Sequence, residues 1–461
     1  MKKTRIERDS LGEMKVDQSV LWGAQTQRAI DNFTVGDNRM PLLVIHILGL
    51  IKKACAAENK RAGLLSGKVA GAIISASEEV ATGKWDDQFP VNIYQTGSGT
   101  STNMNINEVI ANRAIQILGG KVGSKSPVHP NDHVNMGQSS NDVIPTAINM
   151  ATALSISEGL LPSLSGLEKS LKEKARKFKS IVKTGRTHLQ DAVPVTLGQE
   201  FSGYAAQVGK GVKRLRNTLP SLYELPLGGT AVGTGLNGNK EVSRATIKRL
   251  AEETKLPFRQ APNLFEAIAA KDALVETSGT LKTVAVSLNK IAEDIRWLAS
   301  GPRCGIGELI LPELQPGSSI MAGKVNPVMS EMLVMISARV IGNDTTMTLC
   351  GEGGRFELNM MMPLMAHTIL ESIELMTNGV KLFNERCIEG LTADGERCRK
   401  MADMNLSLVT SLVPVVGYDT AADIAHEALT SGRTVKEVCL ERKLLPEKKL
   451  DKLLDPGRMC R

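Results

Sequence analysis

The segment GSSIMAGKVNP, Gly317 to Pro327, places two serines, a lysine and an asparagine in one glycine-flanked stretch directly before a long helical pattern. A phosphate-binding P-loop has four residues between its glycines and Ser or Thr after its lysine. Here five residues separate Gly317 from Gly323, and Val325 follows Lys324, so the chemistry is of another kind. Three more polar loops share the character of this one: QTGSGTSTNMN (Gln95 to Asn105), HPNDHVNMGQSSND (His129 to Asp142) and GRTHLQDAVP (Gly185 to Pro194). Each is expected to run into a helix, whose first N–H groups lack an intrahelical partner and attract anions. In the fourth loop Asn326 is the expected N-cap and Pro327 the first helical residue. Capping alone explains any one of these loops. Four in one chain, carrying Thr100, Ser139, Ser140, Asn141, Thr187, Lys324 and Asn326, exceed that need and point to a small ligand with more than one carboxylate.

These loops must be held by helices. Of 461 residues, 42% are hydrophobic and only 3% aromatic, with Ala, Leu, Met, Lys and Glu abundant, a balance that favours helix over sheet. The first 140 residues are loop-rich, with helical patterns near 41–63, 66–82 and 105–118. From there apolar residues recur at helical spacing over roughly 143–178, 196–218, 240–255, 264–299, 328–350 and 362–390, lengths suited to a bundle. The last 65 or so residues carry shorter helices, including TAADIAHEALTSG, ended by Gly432, and TVKEVCLERK from Thr434. The reading is a mostly α chain in three parts: 1–139, 140–395 with the long helices, and a small helical part, 396–461.

Other features exclude whole classes of function. A net charge of +7 drawn from 56 basic and 49 acidic residues, with no basic run interleaved with aromatics, argues against a nucleic-acid platform. KSLKEKARKFK, Lys169 to Lys179, reads as a solvated helix face. The seven cysteines are scattered without CxxC spacing, which argues for a reducing compartment and against zinc, disulfides or an iron–sulfur cluster. MKKTRIERDS lacks the apolar core of a signal peptide, and the run Pro41 to Ile51 is too short to cross a bilayer, so a cytoplasmic protein without membrane contact is expected. The methionine clusters MSEMLVM and LNMMMPLM read as adaptable core or interface packing. Gly233, Gly235 and Gly238 match GxGxxG, yet a dinucleotide site requires a preceding strand in a βαβ unit, so the match reads as a glycine turn.

Taken together, GSSIMAGKVNP, GSGTSTNMN, HPNDHVN, QSSND, GRTHLQDA and GGTAVGTG resemble, in order, the motifs of the fumarase/aspartase superfamily, over nearly the whole chain. QTGSGT, QSSND and WLASGPRCGIGE (Trp297 to Glu308) are similar to class II fumarases, and VGYDTAADIA to their C-terminal part. TSTNMN and IGNDTT lean towards the aspartate ammonia-lyases. One departure stands out: Ala322 occupies the position where class II fumarases usually carry proline, a change expected to loosen the loop.

The resemblance implies a three-domain fumarase/aspartase-like fold with a central long-helix bundle, assembled as a homotetramer whose active sites draw on three chains, with no metal or organic cofactor. It implies reversible hydration of fumarate to (S)-malate; the alternatives are aspartate ammonia-lyase and a silent structural protein of the same fold. By resemblance Ser318 takes the C3 proton, while Ser319, Lys324 and Asn326, with Val325 beside them, hold the carboxylate that gathers charge. His188, partnered by Glu331, either activates water or binds the far carboxylate. Ser98, Gly99, Thr100, Ser139, Ser140, Asn141 and Thr187 complete substrate binding. His129, Pro130, Asn131 and Asp132 correspond to a second dicarboxylate spot.

Overall fold

Apolar residues at helical spacing set most of the chain in helix, as the sequence predicts. A computed structural model describes residues 3–460. It opens with an antiparallel hairpin, β1 (Thr4–Asp9) and β2 (Gly12–Asp17), followed by α1 (Ala24–Asn32), α2 (Leu42–Arg61), α3 (Gly67–Ala81) and α4 (Thr100–Ile117). α5 (Ser140–Leu154) passes through a π-helical turn, Ser155–Leu160, into α6 (Leu161–Lys177). A second antiparallel hairpin, β3 (Val182–Thr187) and β4 (Gln190–Thr196), precedes α7 (Leu197–Leu222). Then come β5 (Glu224–Leu225), α8 (Lys240–Thr254), β6 (Arg259–Gln260), α9 (Leu264–Ala269) and three long helices, α10 (Asp272–Leu298), α11 (Val328–Gly351) and α12 (Met362–Phe383).

The chain divides into two compact units. The first comprises Met1–Leu161, Arg214–Thr283 and Ala338–Met376; the second, Pro162–Lys213, Val284–Ser337 and Thr377–Arg461. Within the first, α2 packs on α3, α5 and α8, and its Val44, Ile45, Leu48 and Ile51 are fully buried. α4 is buried on all sides although it carries Asn103, Asn105, Asn107, Glu108 and Asn112. Such polar groups are tolerated inside because each makes at least one hydrogen bond, although Asn103 and Asn107 leave Oδ1 without a partner. The Glu108 carboxylate, for example, accepts from the N–H groups of Gly23, Gln25 and Thr26 and from the Thr26 hydroxyl, and so caps α1. Burial still pushes its pKa up against those bonds.

Within the second unit, the helix Tyr418–Ser431 ends at Gly432 with φ 69°, and Val435–Glu441 begins at a Thr434/Glu437 capping box. Leu412, Ile424, Val438, Cys439 and Leu450 form the core they share. Three expectations change. The pattern read as one helix over 264–299 is broken at Ala270 and Lys271, because the Lys271 ammonium turns back onto the carbonyls of Ala267, Ile268 and Ala270 and closes α9. The pattern read to 390 leaves α-helix at Phe383 and continues as a π turn, Asn384–Ile388. Finally, KSLKEKARKFK is not uniformly solvated: Lys174 is buried, donating to the carbonyls of Glu389 and Leu391, and burial lowers its pKa.

The glycine segment after β5 also gains detail. β5 pairs in parallel with β6 across α8, a minimal βαβ unit that the sequence does not announce. The N-terminus of α8 is nevertheless already satisfied, since Asn239 Oδ1 accepts from Glu241 and Val242. The segment is a glycine turn rather than a pyrophosphate cradle. Among the methionines, Met362 and Met365 are core, whereas Met335 and Met360 are exposed.

Candidate active site

In the first unit two of the polar loops meet. Gly99, at φ 75°, precedes α4, and a side chain there would stand 3.0 Å from Ile144 of α5. Gly97 is still more constrained, because a Cβ would fall 2.0 Å from the Met360 carbonyl oxygen. The hydroxyls of Ser98 and Thr100 lie 2.7 Å apart. Gln95 folds back so that its Oε1 accepts from the Thr102 N–H and hydroxyl, capping α4 from outside the helix. Ser139 caps α5: its Oγ accepts from Asn141 N–H at 3.2 Å while its own N–H donates to Asp142 Oδ1 at 3.0 Å. Asn103 Nδ2 of α4 donates to Ser140 Oγ, tying the two helix starts together. Ser98, Gly99, Thr100, Ser139, Ser140 and Asn141 are thus one assembly.

His129 to Asp132 open a π-helical turn, Pro130–Val134, in the same unit. His129 Nδ1 accepts from the N–H groups of Asn131 and Asp132, both at 3.2 Å, which fixes the neutral ring with its proton on Nε2. Burial lowers the His129 pKa in agreement. The 3.3 Å approach of Asp132 Oδ2 to that nitrogen is then a contact between two acceptors, not an ion pair. Lys52, fully buried, donates to Asn135 Oδ1 and Gln138 Oε1 and braces the loop between His129 and Ser139.

The second unit holds the remaining candidates. Thr187 and His188 do not stand at a helix start, as expected from the sequence. They lie at the tip of the β3–β4 hairpin, where Thr187 pairs with Gln190 and His188 and Leu189 form the two-residue turn at φ 57° and 59°. Turns of that hand match the twist of the strands but require φ > 0 at both central residues, for which Asn-Gly is the usual solution. His-Leu is a strained one. Below the turn Glu308, fully buried, receives both terminal guanidinium nitrogens of Arg186, at 3.1 and 2.9 Å, and the ammonium of Lys183, further down the same strand, at 3.2 Å.

The loop 317–326 is exposed over most of its length. Gly317 N–H donates to Lys324 O at 2.7 Å and Asn326 Nδ2 to Gly317 O at 2.8 Å, closing it into a ring. Only glycine fits at 317, since a Cβ would sit 2.8 Å from the Lys324 oxygen. Inside the ring the backbone N–H groups of Ile320 and Met321 both donate to Ser318 Oγ, at 3.3 and 3.0 Å. Asn326 is therefore a loop clasp rather than the expected N-cap, and α11 begins at Val328, as the apolar spacing predicts, and not at Pro327, with Glu331 N–H bonded to Pro327 O. Ser319, Lys324 and Val325 are exposed; Ser318, Asn326 and Glu331 are half-buried.

The sequence does not single out Asp142, Lys52, Lys183, Arg186 or Glu308, because a charged residue type says nothing of burial. The hairpin does leave a signal: valine or threonine recurs at every second residue, Val182 with Thr184 and Val193 with Val195.

A lyase family model matches residues 12–342, and a model of the fumarase C C-terminus matches 408–461. The chain belongs to the class II fumarase family. The class II fumarate hydratase 2 of Bradyrhizobium diazoefficiens is 51% identical over 458 residues, 99% of this chain and 97% of that protein. The mitochondrial fumarate hydratase of Danio rerio is 52% identical, over 99% of this chain and 90% of that protein. The crystal structure of class II fumarase from Schistosoma mansoni superposes with a TM-score of 0.96 at 40% identity, over 99% of both chains. The mostly helical architecture is that of its structural neighbours in the family.

Proposed function

We propose that this chain is a fumarate hydratase, a hydro-lyase that interconverts fumarate and (S)-malate. The observation that carries the reading is the pair of backbone donors on Ser318 Oγ. A serine hydroxyl is a poor base; N–H groups that bond its oxygen favour the alkoxide over the neutral form, and Lys324 on the same loop adds positive charge. Ser318 then removes the C3 proton of malate. The electrons move into the neighbouring carboxylate, and fixed donors aimed at that developing charge supply the largest share of catalysis. Ser319, Lys324 and the second N–H of Asn326 have that task. Ser98, Thr100, Ser139, Ser140, Asn141 and Thr187 bind the other carboxylate, with Gly99 and Val325 shaping the loops. His188, with Glu331, handles the departing hydroxyl as water.

The chemistry is acid–base throughout and calls for neither metal nor organic cofactor. The same reading takes the enzyme as a homotetramer with sites shared between chains, in three parts divided after 139 and 395. Val286, Met335 and Leu349, exposed on the long helices, are apolar surface for such an assembly. Seven free cysteines suit a reducing cytoplasm, where the reaction serves the tricarboxylic acid cycle. No helix among the described residues is long and apolar enough to cross a membrane. His129 to Asp132 are read as a second dicarboxylate spot.

The test is fumarate absorbance with the purified protein supplied with malate or with aspartate. Fumarate is expected from malate. Its release from aspartate alone, with ammonia, would transfer the assignment to an ammonia-lyase, and silence with both would leave a structural protein.

A further inference from the structure

The reading above gives Asn141 a share in binding the substrate but leaves open what orients its amide. That amide is already committed on one side: Asn141 Nδ2 donates to the carbonyl of Ala231 at 2.7 Å. Ala231 ends the turn Gly228–Ala231, which is held by Asp142, the residue that follows Asn141 in sequence. The Asp142 side chain is fully buried. Its Oδ2 accepts from Gly228 N–H and Thr230 N–H, both at 3.0 Å, and its Oδ1 accepts from Ser139 N–H at 3.0 Å. One carboxylate therefore joins the start of α5 to a turn some ninety residues away in sequence, and Asn141 closes the circuit from the other side. An amide cannot replace it, because asparagine brings one acceptor oxygen and an NH2 group that would face N–H donors.

The turn itself is under tension. Thr230 is β-branched and sits at φ 54°, a conformation such residues avoid, with its buried hydroxyl lacking a partner. A strained residue persists only where its surroundings over-determine it, and here the grip comes from Asp142 and Asn141.

We propose that Asp142 is a positioning residue: through the turn Gly228–Ala231 it fixes the amide of Asn141 and, with it, the carboxylate-binding end of α5. The proposal rests on the reading of that end as part of the dicarboxylate site. It differs from a plain stability role in one respect, namely that Asp142 acts on substrate through Asn141, so the two residues are not independent.

A double-mutant cycle measures that dependence. Asp142→Asn and Asn141→Ala are each expected to lower kcat/KM for malate about tenfold to a hundredfold, and the double variant to fall no more than about threefold below the worse single. If the double loses the product of the two single losses, Asp142 serves stability only and the proposal is overturned. Should Asp142→Asn not fold, Gly228→Ala takes its place in the cycle. A Cβ there stands 2.8 Å from that of Ser243 and drives the turn off while leaving Asp142 intact, and the same non-additivity is expected. Calorimetric binding of fumarate to the same proteins separates this proposal from the hydratase reading. Non-additive losses of fumarate binding in a protein inactive on malate would uphold the positioning role and remove the hydratase. Additive losses in an active protein would do the reverse, and a wild type that neither binds fumarate nor forms it would overturn both.

Discussion

Removing one charge from the cluster beneath the His188 turn should cost far more than removing two. Four groups meet there: Lys183 and Glu308, whose side chains are 1% and 0% exposed, Arg186 at 15%, and Glu200 at 25%. Two cations balance two anions. Arg186→Met leaves Glu308 with Lys183 alone, and Lys183 is already shared with Glu200 at 3.2 Å and the Thr184 carbonyl at 3.0 Å. Breaking a buried pair from one side costs about 3–5 kcal/mol, since a charge stays buried without its counter-charge. The partial exposure of Arg186 and the remaining ammonium place this case near the lower end, at about 3 kcal/mol. For a cooperative unit of 150–250 residues that corresponds to a fall in Tm of about 6–12 °C. Glu308→Leu alone leaves Arg186 without its counter-charge, since Lys183 keeps Glu200, and should cost as much. Arg186→Met combined with Glu308→Leu removes one charge of each sign and leaves Lys183 with Glu200, so its cost should be about 1 kcal/mol, as for other buried pairs replaced by apolar residues. Scanning calorimetry of the four proteins at one concentration reads the cycle, the concentration being fixed because assembly also shifts Tm. A double variant whose Tm falls by the sum of the two single falls would refute the reasoning, for the charges would then act separately.

Three further outcomes are expected. Ser318→Ala should lower malate turnover about 10²–10⁴-fold, the range for loss of a general base, while dicarboxylate binding survives; His188→Asn should lower turnover but spare exchange of the malate C3 proton with solvent, and equal loss of exchange in both variants would show that His188 assists the base or places the substrate. Lys271 is buried, and burial depresses its pKa from 10.5 to about 7. Between those values the unfolded chain holds a proton that the folded chain does not, so stability rises with pH. From pH 7 to 9 the wild type should gain about 2–3 kcal/mol relative to Lys271→Met, and parallel unfolding curves for the two proteins across that range would contradict it.

The helices were the legible part of this fold because their information is local. Apolar spacing placed α2, α3, α8 and α11 within a few residues, and Gly432 and Thr434 marked a helix end and a helix start by side-chain chemistry alone. The hairpin was not legible in the same way. Its period-two valines and threonines are few, they lie between two long helical patterns, and GRTHLQDAVP reads as a polar helix entry until β3 and β4 are seen to pair. The motifs brought the right loops into view, yet the groups that hold those loops are ordinary charged residues by type. Lys52, Asp142, Lys183 and Glu308 become special only through burial, which depends on partners distant in sequence: Gly228 for Asp142, Glu308 for Lys183. The break at Lys271 failed for a related reason, since a lysine in a helical pattern is normally a helix former and here its ammonium competes as a cap.

The role proposed for His188 would require a hairpin tip to carry a reactive group. His188 and Leu189 each occupy left-handed backbone, which costs a non-glycine residue roughly 1–2 kcal/mol, so the turn would relax if the strands beneath it were free to slip. They are not free. Arg186, two residues before the tip's centre, is locked to Glu308, and on the opposite strand the Ala192 carbonyl accepts from the Asn405 amide at 2.7 Å. A register shift would have to break a buried ion pair and strand an amide, a larger cost than the turn would recover. The backbone at His188 is therefore held by the strands beneath it, while its ring is exposed. The loop at Ser318 follows the same rule, since the contacts between Gly317, Lys324 and Asn326 close the ring that presents the N–H groups of Ile320 and Met321 to the serine oxygen. In both places, on the roles proposed above, the side chain stays accessible while its backbone is fixed from behind, so that an exposed histidine and a half-buried serine would meet a substrate without a large ordering cost.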